Sequence, residues 1–164
     1  MREMSSMSST ASAQPQAPEM APGYAVVDLE TTGLSPSADA ILEIGLVHLD
    51  ARGEIERSWT SLVDPGPGDD GAREVGPTFI HGLTPDDVTG APRIAELADL
   101  IARDLAGRVV VAHNARFDLG FLSHALGGLG MLDADAPIPQ VCTMRRARDY
   151  LTTPSRRLTS CCEA

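Results

Sequence analysis

The sequence contains no lysine, few aromatic residues and a deficit of positive charge. All 13 basic residues are arginine, and 23 acidic residues bring the formal net charge to −10. This charge argues against a protein that holds nucleic acid through a generally basic surface. It is compatible with an enzyme whose carboxylates collect metal ions, because the ions supply local positive charge.

Long apolar runs and a cysteine framework are also missing. No segment is long and apolar enough to span a membrane, and none has the apolar core of a secretory signal. The three cysteines, Cys142, Cys161 and Cys162, are odd in number and have no metal-binding spacing. Free thiols of this kind are typical of a reducing cytosol, so we expect a cytoplasmic protein without a membrane partner.

The apolar content of the chain is sufficient for one packed domain. Hydrophobic residues make up 43% of the chain and aromatic residues 4%, so the core should consist mainly of leucine, valine, isoleucine and alanine. Residues 1–22 are rich in serine, alanine, proline, methionine and glutamine, which predicts a disordered tail. Residues 23–164 are then expected to form a single domain.

The order of the predicted elements indicates an α/β fold. Residues 24–30, 41–50 and 55–63 have strand patterns joined by short links, which favours an antiparallel three-strand meander. A loop over 64–77 comes next, followed by a short helical turn that begins at Pro85. Helices and strands then alternate: helix 92–107, strand 108–115, helix 115–127, strand 139–142, helix 143–151 and a helix start within 154–164. This order predicts a mixed sheet flanked by helices.

Two carboxylates in the stretch YAVVDLETTGL (24–34) are unusual, because acidic residues are depleted in strands. Side chains alternate along a strand, so Asp28 and Glu30 should point the same way, with Val27 and Leu29 on the opposite side. Adjacent carboxylates repel each other unless a partner such as Mg²⁺ or Mn²⁺ neutralises them through oxygen ligands. The alternative is a solvated strand end.

A second group of polar residues follows the apolar strand 109–112. His113 and Asn114 lie at its carboxyl end, and Asp118 falls in the first turns of the next helix. Ligand sites in open α/β sheets tend to lie at such strand ends. Asp118 is at the edge of the apolar stripe of its helix and can lean toward the sheet. The alternative is an ordinary first-turn acid that favours the helix dipole.

Together these segments resemble a known family. VVDLETTGL (26–34) and VVVAHNARFDLGFL (109–122) are similar to the first and second motifs of the DEDD-type 3′–5′ exonucleases, in particular to the proofreading epsilon subunit of bacterial DNA polymerase III and its stand-alone relatives. FIHGLTPDDVTGAP (79–92) resembles the family's linking segment, and PSRRLTSCCEA (154–164) the segment ahead of its third motif. The resemblance runs from about residue 23 to the end.

The resemblance implies a ribonuclease H-like fold and hydrolysis of the 3′-terminal phosphodiester with two Mg²⁺ or Mn²⁺ ions. Two such ions about 4 Å apart clamp the attacking and leaving oxygens of an in-line displacement. The family pattern assigns the catalytic metal ligands to Asp28, Glu30 and Asp118. It assigns contacts with the terminal nucleotide to Thr31, Leu34, His81, Asn114 and Phe117. For His81, a loop histidine that caps a turn is the alternative.

The third motif of the family, a His followed five residues later by an Asp, does not occur after Leu151. In the family that His is the general base and that Asp completes the metal site. We therefore expect a fragment whose domain is incomplete at the C-terminus. The alternatives are a short non-catalytic protein that binds nucleic-acid ends, or a site completed by a partner chain. Without these groups hydrolysis should be weak or absent, because general-base help alone is worth about 10²–10⁴.

Single-stranded or frayed 3′ ends of DNA are the expected substrate, with RNA as an alternative, since no residue recognisably reads a 2′-hydroxyl. A DNA polymerase subunit is an expected partner, and a non-catalytic nucleic-acid- or polymerase-binding module is the alternative function. From Gln140 to Ala164, five arginines stand against two acidic residues, a local charge of +3. These arginines are interpreted either as phosphate contacts or as a solvated helix face.

Overall fold

Five strands form one mixed sheet. The computed structural model describes residues 23–131 and 138–164, so the predicted tail 1–22 lies outside the described residues. The strands are β1 (Tyr24–Thr31), β2 (Ile41–Leu49), β3 (Ile55–Leu62), β4 (Val109–Ala112) and β5 (Gln140–Cys142). Their order across the sheet is β3-β2-β1-β4-β5. The first three strands pair antiparallel, and β1–β4 and β4–β5 pair parallel, which confirms the predicted meander and mixed sheet.

The described helices follow the predicted order with one addition. They are α1 (Thr78–His81), α2 (Pro85–Val88), α3 (Ile94–Leu105), α4 (Ala115–Gly128), α5 (Thr143–Tyr150) and α6 (Leu158–Cys162). The sequence did not predict α1, because four residues are too few to show helical periodicity. This helix ends at Gly82, whose φ of 78° is in the left-handed region that favours glycine.

Helix α3 begins two residues later than predicted. The Arg93 backbone N–H donates to the Glu96 carboxylate at 2.7 Å, so Arg93 caps the helix and does not belong to it. The helix ends at Leu105, two residues before the predicted end at Gly107, whose φ of 70° is in the left-handed region. No helix in the described part of the chain is long and apolar enough to cross a membrane.

The main core lies between one face of the sheet and helices α3 and α4. Alternate residues of β1 point into it, beginning with Ala25, and Ile101 and Leu122 from the two helices are fully buried against them. The core contains mainly aliphatic residues and alanine, as the low aromatic content predicts. At about 25 cal/mol per Å² of apolar surface, burial of this face is the main term that stabilises the fold.

The apolar stripe of α4 differs from the predicted one. The sequence pattern indicated Phe117, Phe121, Leu122 and Leu126, and the last three are buried. Phe117 is only half-buried, and its ring centroid lies 5.1 Å from that of Phe121. Because the start of α4 projects beyond the end of β4, Phe117 reaches the rim of the core while Asp118 turns inward.

Candidate active site

The two β1 carboxylates lie on the face of the strand that points away from the main core. Asp28 is exposed and Glu30 half-buried, whereas Val27 and Leu29 are buried. This alternation is the one that the strand period predicts.

Asp118 reaches this end of β1 from a different element. β1 and β4 run parallel with Val26 beside Val111, so the carboxyl end of β4 and the first turn of α4 lie next to the end of β1. The Asp118 side chain is only 3% exposed. An ordinary first-turn acid would face solvent, so the interpretation in which Asp118 leans toward the sheet describes the fold.

The electrostatics of Asp118 link it to the β1 carboxylates. Burial raises its pKa to about 6. Backbone N–H groups of Asp118 and Leu29 offset part of this rise in pKa, and the negative charges of Asp28 and Glu30 add to it. Because the charges of both β1 carboxylates act on Asp118, the three acids lie near one another.

Burial and neighbouring charges also shift the pKa of Glu30. Its pKa is raised first by burial, then by the charge of Asp28, and the nearby His81 lowers it. Glu43 also raises it, because Glu43 is the cross-strand partner of Glu30 in the β1–β2 ladder. Like charges directly opposite each other destabilise a sheet. Sequence reasoning missed Glu43, since its contribution depends on the strand register.

The loop after β1 is held by hydrogen bonds that sequence reasoning did not foresee. Asp39 accepts bonds from the Ser35 backbone N–H at 2.8 Å and from the Thr32 hydroxyl at 3.3 Å. The Thr31 hydroxyl donates to the Gly33 carbonyl at 2.6 Å. Thr31 therefore shapes the turn, and Leu34 is left 85% exposed beside it. An aspartate four residues after a serine is a weak signal for such a loop.

Helix α1 lies against this loop. A Cβ on Gly76 would lie 2.0 Å from the Thr32 carbonyl oxygen, so only glycine permits this approach. His81 ends the helix, where its Nε2 donates to the Val75 carbonyl at 2.9 Å and its Nδ1 accepts from the Leu83 backbone N–H at 3.0 Å. His81 thus caps a turn and also lies near Glu30.

Two exposed apolar residues on α1 were missed by sequence reasoning. Phe79 is 88% and Ile80 70% exposed, next to His81. A large apolar pair in an otherwise polar loop was the available signal. Leu34, in the loop after β1, is a third exposed apolar side chain.

The β4–α4 junction completes the arrangement. Asn114 has φ of 91°, the only non-glycine residue in the described ranges with a positive φ. Asparagine tolerates this conformation better than most residues, and such outliers occur often at ligand sites. His113 beside it contacts the Thr143 hydroxyl through Nδ1 at 3.0 Å, and its Nε2 donates to the Arg156 carbonyl at 2.8 Å. The structure thus places Asn114 and Phe117 at the end of β4 nearest the three acids.

The three acids supply the kind of oxygen donor that a divalent cation needs. Across residues 23–131 and 138–164, no three His, Cys, Asp or Glu side chains are arranged as a ready-made metal cage. The charge of Asp28 raises the pKa of Glu30, and the charges of Asp28 and Glu30 raise the pKa of Asp118, so the three acids lie near one another. Three carboxylates are the hard oxygen donors that Mg²⁺ and Mn²⁺ prefer, so the donor chemistry fits such an ion.

Known proteins are similar to this chain over most of its length. The exonuclease family model, RNase_T, matches residues 25–164. The epsilon subunit of DNA polymerase III from Treponema pallidum is 38% identical over 103 residues, 63% of this chain and 46% of that protein. A PolC-type DNA polymerase III from Halalkalibacterium halodurans is 30% identical over 142 residues, 85% of this chain and 9% of that protein. The chain therefore spans less than half the length of these relatives.

Solved structures share the fold. Apo exonuclease I superposes with a TM-score of 0.69 at 18% identity, covering 86% of this chain and 36% of that one. Escherichia coli exonuclease I in complex with a dT13 oligonucleotide gives a TM-score of 0.70 at 18% identity, covering 86% and 35%. The predicted ribonuclease H-like mixed sheet is thus confirmed. Exonucleases of this kind depend on divalent metal ions. With its family model matched from β1 to the last residue, the chain belongs to the exonuclease family.

Proposed function

We propose that the chain is a 3′–5′ exonuclease domain that removes nucleotides from single-stranded or frayed DNA ends with Mg²⁺ or Mn²⁺. The observation that carries the proposal is Asp118. Helix α4 places Asp118 near the end of β1 with only 3% of its side chain exposed. Burial of an ionisable group costs folding free energy, and such groups cluster at functional sites. A metal ion held by Asp118 together with Asp28 and Glu30 would neutralise the three charges.

Asp28, Glu30 and Asp118 are the residues that would hold the metal ions. A bound divalent ion supplies Lewis acidity to the scissile phosphate and lowers the pKa of a water nucleophile. The chain's own contribution is to fix three oxygen donors on a rigid strand and helix. Partial burial of two of them strengthens their attraction for a cation.

The terminal nucleotide would lie between the β1 loop and the β4–α4 junction. Leu34 and Phe117 offer apolar contact to the last base without reading its identity, which suits sequence-tolerant ends. Thr31 would act by shaping the turn that presents Leu34. His81 and Asn114 flank the acids on either side.

A non-catalytic module that binds nucleic-acid ends is the second candidate. Both ring nitrogens of His81 and of His113 already have hydrogen-bond partners. Neither histidine presents a free nitrogen to a water, so the described residues near the acids include no uncommitted histidine base. Binding without hydrolysis is consistent with that geometry.

We further propose that the domain works in the cytoplasm, alone or beside a DNA polymerase subunit. The support is its similarity to proteins named as the epsilon subunit and the PolC type of DNA polymerase III. Co-purification with a polymerase subunit would test the association.

Trimming of labelled oligonucleotides tests the proposal. A 5′-labelled single strand incubated with a high concentration of the chain and Mn²⁺ should slowly give a ladder of products shortened from the 3′ end, because weak hydrolysis is expected without the general base. Asp28→Asn should slow trimming about 10²–10³-fold, because a Lewis-acid site is worth several kcal/mol. The matched control is Asp99→Asn, on the exposed face of α3. Binding without trimming would favour the second candidate, and neither binding nor trimming would overturn both.

A further inference from the structure

Exposed arginines are the largest charged feature that the proposed site leaves unused. Six of them lie on α4, on α5 and on the segment after α5: Arg116, Arg145, Arg146, Arg148, Arg156 and Arg157. From residue 140 onward, five arginines stand against two acids, so this region carries +3 on a chain of −10. Positive charge is therefore concentrated in one part of an acidic protein.

Three surface grooves connect these arginines. The first, of about 770 Å³, lies between α4 and α5 and contains four of the six, including Arg148. The second, of about 390 Å³, contains Arg148 and Arg156. The third, of about 550 Å³, contains Arg156 together with His113 and Asn114. Neighbouring grooves share an arginine, Arg148 or Arg156, and the three grooves together are here named the arginine track.

Little of this charge is neutralised within the chain. Asp149 lies 3.3 Å from Nε of Arg148 and 3.7 Å from a terminal guanidinium nitrogen of Arg146. Exposed pairs of this kind contribute little. In the described ranges no carboxylate lies within 4.0 Å of the four other arginines of the track. Among the described residues, these four guanidinium groups therefore have no ion-pair partner.

We propose that the arginine track binds the phosphates of a single nucleic-acid strand upstream of its 3′ terminus. This inference rests on the proposed function, because it takes the terminus to lie at Asp28, Glu30 and Asp118. The third groove begins at Asn114, beside those acids. The hydrogen bond from His113 to the Arg156 carbonyl holds the track against this junction. A strand that leaves the acids past Asn114 would then follow the grooves around α5.

The surroundings favour a nucleic acid over an acidic protein. Arg116, on the exposed side of the first turn of α4, lies two residues before the buried Asp118, so the track includes a residue of the helix that carries this acid. Tyr150, at the end of α5, is 79% exposed and available for base stacking. A positive groove combined with aromatic platforms is the arrangement that proteins use for single strands.

The experiment measures binding without cleavage. Fluorescence anisotropy in EDTA compares a dT dinucleotide with an oligo-dT of about 20 nucleotides, across a range of NaCl concentrations. Wild-type chain is compared with Arg145→Gln/Arg148→Gln and with the control Arg52→Gln/Arg103→Gln, whose exposed arginines lie outside the track. Arg145→Gln/Arg148→Gln, here called the track variant, should bind the long oligonucleotide several-fold more weakly than wild type. It should bind the dinucleotide as tightly as wild type does. Its salt slope should fall by about 0.7 for each phosphate that the variant no longer neutralises.

The outcomes separate the track from the proposed function. If the track variant binds the long oligonucleotide as tightly as wild type does, the proposal that the track binds phosphates is wrong, whether or not wild type trims 3′ ends. If the affinity for the long oligonucleotide and the salt slope fall only in the track variant, the proposal that the track binds phosphates is supported, even if no trimming occurs. If wild type binds both lengths equally, or binds polyglutamate as tightly as oligo-dT, the track does not serve nucleic acid.

Discussion

Replacing Asp118 with asparagine is expected to stabilise the metal-free chain near pH 7 while it abolishes trimming. Burial raises the pKa of Asp118 from 3.8 to about 6 in the folded chain, so the ionised form is the disfavoured one. The stabilising contribution of the neutral acid is complete below pH 3.8 and is lost as the pH rises through 6. Asparagine stays neutral throughout. The gain at pH 7 is about 2–3 kcal/mol, since each pKa unit is worth about 1.4 kcal/mol.

Thermal unfolding at several pH values measures this effect. In EDTA the melting temperature of Asp118→Asn should exceed that of wild type by roughly 5–10 °C at pH 7, with the difference vanishing near pH 4. The control Asp99→Asn, from the exposed face of α3, should leave the profile unchanged. A variant that melts lower than wild type at pH 7, or that still trims, would show that Asp118 has a structural role instead.

Replacing Asp104 with alanine is expected to destabilise the fold by about 3–5 kcal/mol. Asp104 on α3 is 1% exposed and accepts hydrogen bonds from the Arg57 guanidinium and, at 2.6 Å, from the Trp59 indole N–H. His48, also buried, lies 3.9 Å away, and Arg57 donates to its Nδ1 at 3.0 Å. Removal of the carboxylate would leave several polar groups without a partner between α3 and the sheet. Because Arg57 is half exposed, the lower end of that range is expected.

Urea unfolding compares Asp104→Ala with Asp99→Ala on the same helix. The control should change the free energy of unfolding by less than about 0.5 kcal/mol. His48 pairs with Ala25 at the start of β1, whereas the three acids lie at its other end. Trimming per folded molecule should therefore be unaffected by Asp104→Ala. A decrease in stability below about 1 kcal/mol would mean that the cluster contributes little.

Much of the fold could be predicted because its strands have local patterns. The period of two in β1 predicted the shared side of Asp28 and Glu30, and the apolar run 109–112 predicted the buried neighbour of β1. The resemblance added the pairing of the two motifs, which no local pattern could supply. The position of Asp118 at the edge of its helical stripe allowed an inward orientation but left the alternative of an ordinary first-turn acid open.

The remaining features depend on tertiary contacts that no local pattern encodes. Glu43 affects Glu30 only through the strand register, and Asp39 acts only when its loop closes. Asp104 is buried because partners from β2 and β3 reach it. Helix α1, with the exposed Phe79, is too short to have a recognisable period. For Glu43 and Asp104, the deciding interaction joins residues that different segments of the chain contribute.

The most direct test of the account is Mn²⁺ binding, measured by the decrease of the free-ion EPR signal at pH 7.5. Wild type should bind Mn²⁺, and Asp28→Asn, Glu30→Gln and Asp118→Asn should each weaken binding at least about tenfold, with Asp99→Asn as control. Wild-type affinity should fall as the pH drops below about 6, because Asp118 is then protonated. Equal affinity in wild type and all three variants would contradict the claim that these carboxylates form the metal site.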